Sequence, residues 1–262
     1  MKFISKLLLF FLLQNSYSNS FAQGIKKSQA FLWEQGAIVR GNSLSKNISL
    51  VFTGDDFFEG LDTIIHILHT ANIKASFFLT GRLYRNQEAY KSIIQLKSSG
   101  HYLGPHSDLH LLYNDWQDRK ALLVSKDSMM KDLQDNYLAM ENFGIQEKKK
   151  YFIPPYEWWN VQIARWCKEN GIQIINFTPG TGTNADYTFP QMGKQYKSSD
   201  ELREGLYRYE IEHGLNGAII LIHIGTDPRR IGKLYYQLPS LIYNLISKGY
   251  SFVRVDELLK FL

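Results

Sequence analysis

The sequence predicts an α/β fold in which seven parallel strands close, or nearly close, into a barrel. Two observations predict it. Short apolar runs alternate with helical patterns from residue 48 to residue 255, the order that parallel strands joined by crossover helices produce. Several of those runs also end in reactive side chains: Ile48–Phe52 leads into Asp55-Asp56, the run 102–105 into His106, and Ile219–Ile222 into His223. Barrels of this kind gather their chemistry at the C-terminal strand ends.

The elements follow in chain order. Residues 1–22 read as an export signal: Lys2 and Lys6 are the basic end, Leu7–Leu13 the apolar core and Ser20-Phe21-Ala22 a small-x-small cleavage pattern before Gln23. That core is too short to span a bilayer. The protein is therefore expected to be periplasmic or secreted, with no integral membrane segment once the signal is removed. Residues 23–45 are a polar, mixed lead-in expected to pack against the barrel base. Strands are expected at 48–54, 74–80, 102–105, 150–154, 172–177, 217–223 and 251–255. Helices are expected near 58–71, 88–99, 118–143, 160–170, 199–213 and 235–248; in the third, Leu123, Met130, Leu133, Tyr137 and Met140 form one stripe. The glycine-rich stretch Gly180–Asn184 follows an apolar run and reads as a long active-site loop.

Composition bounds the function. The chain has 262 residues, 44% hydrophobic and 21% charged, with a net charge of +5. That suits one barrel-sized domain. No Lys/Arg block is dense enough to argue for nucleic acid; Lys148-Lys149-Lys150 reads as a solvated loop. The single cysteine, Cys167, excludes an internal disulfide and reads as a buried thiol on a helix with Ile163 and Trp166.

The chemistry starts at Asp55-Asp56. Adjacent carboxylates repel unless a positive group lies beside them, and a divalent cation is the simplest candidate. His106 and His110, four apart, face one side if they occupy a helical turn. With Asp56 they make two nitrogens and one carboxylate, a set that leaves positions open on a catalytic ion, zinc foremost. Asp55 can then act as general base and His223 as the acid that protonates the leaving group. A rival pair, His66 and His69, lies away from the strand ends and reads as solvent-facing, and His213 as a helix-end residue. Trp158 and Trp159 follow Pro154-Pro155-Tyr156-Glu157; core packing and a sugar platform are evenly matched readings for them.

Thr53-Gly54-Asp55-Asp56, Gly100–His110, Pro154-Pro155-Tyr156 and Leu221-Ile222-His223, in that order, resemble the motifs of the polysaccharide deacetylases, the NodB-homology carbohydrate esterases. The resemblance covers about residues 46–258, within a catalytic domain expected over 46–262, and implies a distorted (β/α) barrel of the glycoside hydrolase/deacetylase type. It implies removal of N-acetyl, or O-acetyl, groups from a glycan. In family roles Asp55 is the base, Asp56, His106 and His110 hold the metal, and His223 is the acid. Leu221 walls the acetyl pocket, and the Tyr156 backbone amide helps hold the oxyanion. The pattern departs in three places. Gly54 stands for an aromatic residue. Ile153 stands where the motif arginine would brace the base, with no arginine adjacent. The acid that orients His223 has its nearest counterpart in Asp186. Loss of that arginine implies slow turnover or, in the extreme, a noncatalytic glycan-binding protein; a different metal-dependent amidase is the third reading.

Overall fold

The computed structural model describes residues 31–260. The expected signal at 1–22 lies outside them. The described chain opens with an antiparallel hairpin, β1 (Leu32–Glu34) and β2 (Ala37–Arg40). The seven expected strands follow: β3 (Asn47–Gly54), β4 (Ser76–Leu79), β5 (Tyr102–Pro105), β6 (Tyr151–Phe152), β7 (Gln173–Ile174), β8 (Ile219–His223) and β9 (Ser251–Phe252). Every pairing among these seven is parallel, with β3 at the centre flanked by β4 and β8. The helices are α1 (Leu61–Thr70), α2 (Gly81–Tyr84), α3 (Tyr90–Ser98), α4 (Lys126–Glu141), α5 (Val161–Glu169), α6 (Ser199–His213), α7 (Leu238–Ser247) and α8 (Val255–Leu258). Among the described residues no helix is long and apolar enough to cross a membrane.

Strand β3 is buried on both faces, which explains its unbroken apolar run. Ile48, Leu50 and Phe52 pack outward with Ile64, Leu68, Ile93 and Leu241 of the helices, while Val51 packs inward with Phe78, Ile153, Ile175 and Leu221. Cys167 is buried and free, as expected. The helix expected near 118–143 starts only at Lys126, where the Ser125 hydroxyl accepts the Ser128 N–H at 3.1 Å. Residues ahead of it fold back on the preceding loop: Asn114 bridges Leu122, and Leu123, expected on the helical stripe, is exposed.

Two features make the barrel irregular. No strand ladder joins β5 to β6. The Tyr102 hydroxyl spans that gap, accepting the Tyr151 N–H at 3.0 Å and donating to the Lys149 carbonyl at 2.9 Å. The ring is completed elsewhere by the lead-in, which does more than lie against the barrel base. Ala37, Ile38 and Val39 are fully buried. Ile38 bridges Ile175, the Asn176 N–H donates to the Ile38 carbonyl, and Arg40 bridges Ala218. Strand β2 thus fills the space between β7 and β8.

Candidate active site

The C-terminal strand ends surround a cavity of about 600 Å³ lined by Asp55, Asp56, His106, His110, Glu157 and His223, with a rim of aromatic rings. Gly54 is accounted for at once. A Cβ there would meet Ile224 Cδ1 at 2.3 Å, so Ile224 occupies the space that a larger residue at this position would need.

Asp55 is braced by an arginine, contrary to the sequence expectation. Arg82, in α2 just past the end of β4, donates from Nε to Asp55 Oδ1 at 2.6 Å and from its terminal nitrogen to Oδ2. The Thr80 hydroxyl donates to the same Oδ1 at 2.9 Å while it caps α2 by accepting the Leu83 N–H. Burial pushes the Asp55 carboxyl up, but the hydrogen bond from Arg82, the Thr80 hydroxyl and the Arg82 charge outweigh it and hold Asp55 below the usual range. Ile153 is in the barrel interior, as its type requires.

The same guanidinium lies 3.3 Å from Asp56 Oδ1, and the Asp56 side chain is 67% exposed. The positive group between the adjacent carboxylates is therefore Arg82. Among the described residues no group of three or more His, Cys, Asp or Glu side chains is placed to hold a metal ion.

The two histidines do converge, though not on a helical turn. Segment 106–110 is a loop in which Ser107 and His110 both take left-handed backbone angles (φ 70° and 57°). Such angles on residues other than glycine cost on the order of 1–3 kcal/mol each and persist only where neighbours enforce them. Here α4 and α2 enforce them. Asn136 accepts the His106 N–H and Asp132 the Leu109 N–H, both at 2.9 Å. Arg85 grips Asp108 through two hydrogen bonds of 2.7 and 2.8 Å.

The result suits a metal on the nitrogen side. His106 Nδ1 donates to the Ile153 carbonyl at 2.8 Å, which fixes the tautomer and leaves Nε2 bare toward the cavity. His106 Nε2 and His110 Nε2 are 3.3 Å apart. Two nitrogens bound tetrahedrally at about 2.0–2.1 Å from one zinc would be separated by roughly that distance. Burial pushes the pKa of His106 down to about 3 and that of His110 down to about 4. Both are thus neutral, as metal ligands must be.

On the opposite side His223 ends β8. Its Nδ1 meets Asp186 Oδ1 at 2.6 Å, and its N–H donates to Asp186 Oδ2 at 3.0 Å. Asp186 lies in a 3-10 turn, Thr183–Tyr187, entered through Gly182 in the left-handed region. Burial lowers the His223 pKa, but the charge and hydrogen bond of Asp186, with the charge of Glu157, raise it to about 9. Glu157 itself, not singled out in the sequence, projects into the same cavity.

The remaining assignments divide. Trp158 lines the cavity, stacked on Trp116 (5.5 Å between centroids) and covered by Arg119 at 4.1 Å. Trp159 is core, its indole N–H donating to the Gln35 carbonyl at 3.2 Å. Tyr156 lies against His110 at 4.4 Å and lines the cavity. Leu221 does not line it: the side chain is fully buried in the barrel interior one inward position below His223, so its role as pocket wall is corrected to a floor beneath the site. His66 and His69 are exposed on α1 and are not among the residues that line the cavity. Thr80, Arg82, Trp116 and Glu157 were missed. The signal for Arg82 was its place three residues beyond a strand end on the reactive face.

Comparison with solved structures shows the same fold. The structure resembles a family 4 carbohydrate-esterase pseudoenzyme from Bacillus anthracis (TM-score 0.66, 21% identity, 86% of this chain and 69% of that one). It also resembles a family 4 carbohydrate esterase from Bacillus subtilis (0.63, 20%, 86% and 85%). The chitin deacetylase of the fungal pathogen Colletotrichum lindemuthianum is similar to the same degree (0.64, 19%, 87% and 93%). Compared with curated proteins, the sequence finds no match. The model of the polysaccharide deacetylase family matches residues 42–175, a span that holds Asp55, Asp56, both converging histidines and Tyr156. Since that span is just over half of the sequence, the chain belongs to the polysaccharide deacetylase family.

Proposed function

We propose that this protein is an exported, metal-dependent deacetylase of a polysaccharide or cell-wall glycan, active on N-acetyl or O-acetyl groups. The observation that carries this reading is the bracing of Asp55 by Arg82 and Thr80, in one cavity with two convergent imidazoles and the His223–Asp186 couple. The basic, apolar and small-residue pattern of residues 1–22 supports export. The exposed rings of Phe57, Trp116, Tyr156 and Tyr187 around the cavity support a sugar substrate, whose apolar ring faces stack on aromatic side chains.

Zinc, or a similar divalent ion on His106, His110 and a cavity carboxylate (Asp56 in the set read from sequence), would polarise the acetyl carbonyl and lower the pKa of water toward roughly 7. Asp55, ionised and held fast, accepts a proton from the attacking water as the new C–O bond forms. The Tyr156 amide donates to the carbonyl oxygen as charge develops there. Asp186 occupies His223 Nδ1, so Nε2 faces the substrate, and its proton passes to the departing nitrogen or oxygen as that bond breaks. Acetate leaves, and exchange with solvent returns both side chains to their starting protonation.

The test is acetate release from chitin oligomers, peptidoglycan and acetylated xylan, with zinc supplied and then chelated. Wild type should release acetate only with metal present. Asp55→Asn should lose about 10²–10⁴-fold in rate at unchanged metal content. Metal-loaded protein that binds a glycan yet releases nothing would establish a noncatalytic binder, and a preference for acetylated peptides would indicate an amidase.

A further inference from the structure

Strand β8 ends at His223 and is followed by a tight turn, Asp227-Pro228-Arg229-Arg230, in which the Arg230 N–H donates to the Asp227 carbonyl at 2.9 Å. Proline in the second place suits such a turn. The turn parts the two arginines. Arg229 stays exposed, paired with Asp227, and lies over the Phe189 ring at 3.8 Å. Arg230 goes inward and is completely buried. Its guanidinium donates to the Thr188 carbonyl at 2.5 Å, the Lys197 carbonyl at 2.9 Å and the Ser199 hydroxyl at 3.0 Å.

None of these acceptors is a carboxylate, so a full charge is buried against neutral oxygens. A buried cation is costly unless its donors are met. Here one segment meets them. Thr188 and Lys197 are the two ends of a loop, joined by the Lys197 N–H donating to the Thr188 hydroxyl at 3.2 Å, and Arg230 ties that base down. Thr188 also closes the turn Thr183–Tyr187: its N–H and its hydroxyl both donate to the Ala185 carbonyl, at 3.1 and 2.7 Å. At the other end of the turn the Thr183 hydroxyl donates to the Leu221 carbonyl at 2.7 Å. The turn that carries Asp186 is therefore held on one side by β8, just before His223, and on the other by Arg230, just after it. The 2.6 Å contact between Asp186 and His223 Nδ1 depends on that seating, because hydrogen bonds weaken steeply as they lengthen and bend.

We infer that Arg230 is a positioning residue that fixes the Asp186 turn against His223, an inference that rests on the role proposed above for that couple. Its two effects on His223 have opposite signs. The Arg230 charge itself lowers the His223 pKa, whereas Asp186 and Glu157 raise it. Loss of the charge alone would thus move His223 to higher pH, and displacement of Asp186 to lower pH. The experiment follows the His223 ring by NMR across pH in wild type, Arg230→Met and Arg230→Lys, with acetate release measured in parallel. Arg230→Met should make His223 titrate at lower pH and lose the low-field proton shared with Asp186, and kcat should fall about tenfold to 10²-fold. Arg230→Lys, which keeps the charge but not the planar fork, should restore part of each. A His223 that titrates at higher pH in Arg230→Met, or does not move, overturns the inference. Thermal melts report folding; should Arg230→Met fail to fold, Arg230→Lys decides, and a His223 that titrates there as in wild type overturns the inference. The NMR readout needs no turnover, so a wild type that releases no acetate refutes the deacetylase reading alone.

Discussion

Arg82 reaches Asp55 with two nitrogens and Asp56 with one, so a single guanidinium orients the proposed base and screens its neighbour. Arg82→Ala should lower kcat by about 10²-fold through misplacement of that carboxylate, with metal content retained. Arg82→Lys should recover only part, because an ammonium cannot make the planar two-point contact. In the alanine variant the burial of Asp55 is no longer offset by Arg82, so the acid limb of the pH–rate profile should move to higher pH. Asp186→Asn tests the other side. The charge that raises His223 to about 9 disappears while burial, which lowers it, remains. The alkaline limb should therefore move to lower pH, and a profile that stays in place would remove Asp186 from the proton path.

Among elements, the break between β5 and β6 is the most consequential, because two side chains of β5 and its extension hold it together. Tyr102 bonds across it to the backbone of 149 and 151, and His106 to that of 153. Tyr102→Phe leaves the buried Tyr151 N–H without its acceptor, which should destabilise the fold by about 1–3 kcal/mol in denaturant unfolding. The places of the seven strands were legible in the sequence because each lies within a mainly apolar run, although β6, β7 and β9 keep only two residues in strand pairing; Asp55, His106 and His223 were legible because each follows such a run. Arg82 was not, since α2 has four residues and no periodicity to read. Glu157 was not, since nothing in its residue type announces a left-handed backbone that turns it inward. The helical geometry inferred for His106 and His110 failed for the same reason: spacing alone does not distinguish a helical turn from a loop pinned by Asp132 and Asn136. Strand β2 was hidden in a four-residue segment, Ala37–Arg40, too short to stand out from a polar lead-in.

Across the whole molecule, three histidines are held neutral by burial: His101, whose Nδ1 accepts the Ala75 N–H and whose pKa burial lowers to about 4, with His106 and His110. Their folded pKa values lie below the unfolded value of 6.5, so the unfolded chain takes up protons first as pH falls. The stability they permit is complete above about 6.5 and is lost progressively toward about 4. Melting temperatures of the metal-free protein should therefore drop between pH 7 and pH 4.5, taken as approximate bounds, and His101→Asn should flatten part of that slope. The seating of β2 between β7 and β8 has a consequence in time. Val39 accepts its hydrogen bond from Thr178, 139 positions further along the chain, and Arg40 reaches the Asn216 carbonyl 176 positions away. The first stave of the barrel thus waits for nearly the last to emerge from the ribosome, and until then its apolar face has nowhere to go. Contacts of such long sequence separation are formed late and slowly, which keeps a nascent chain of this topology open for longer than one built from local contacts.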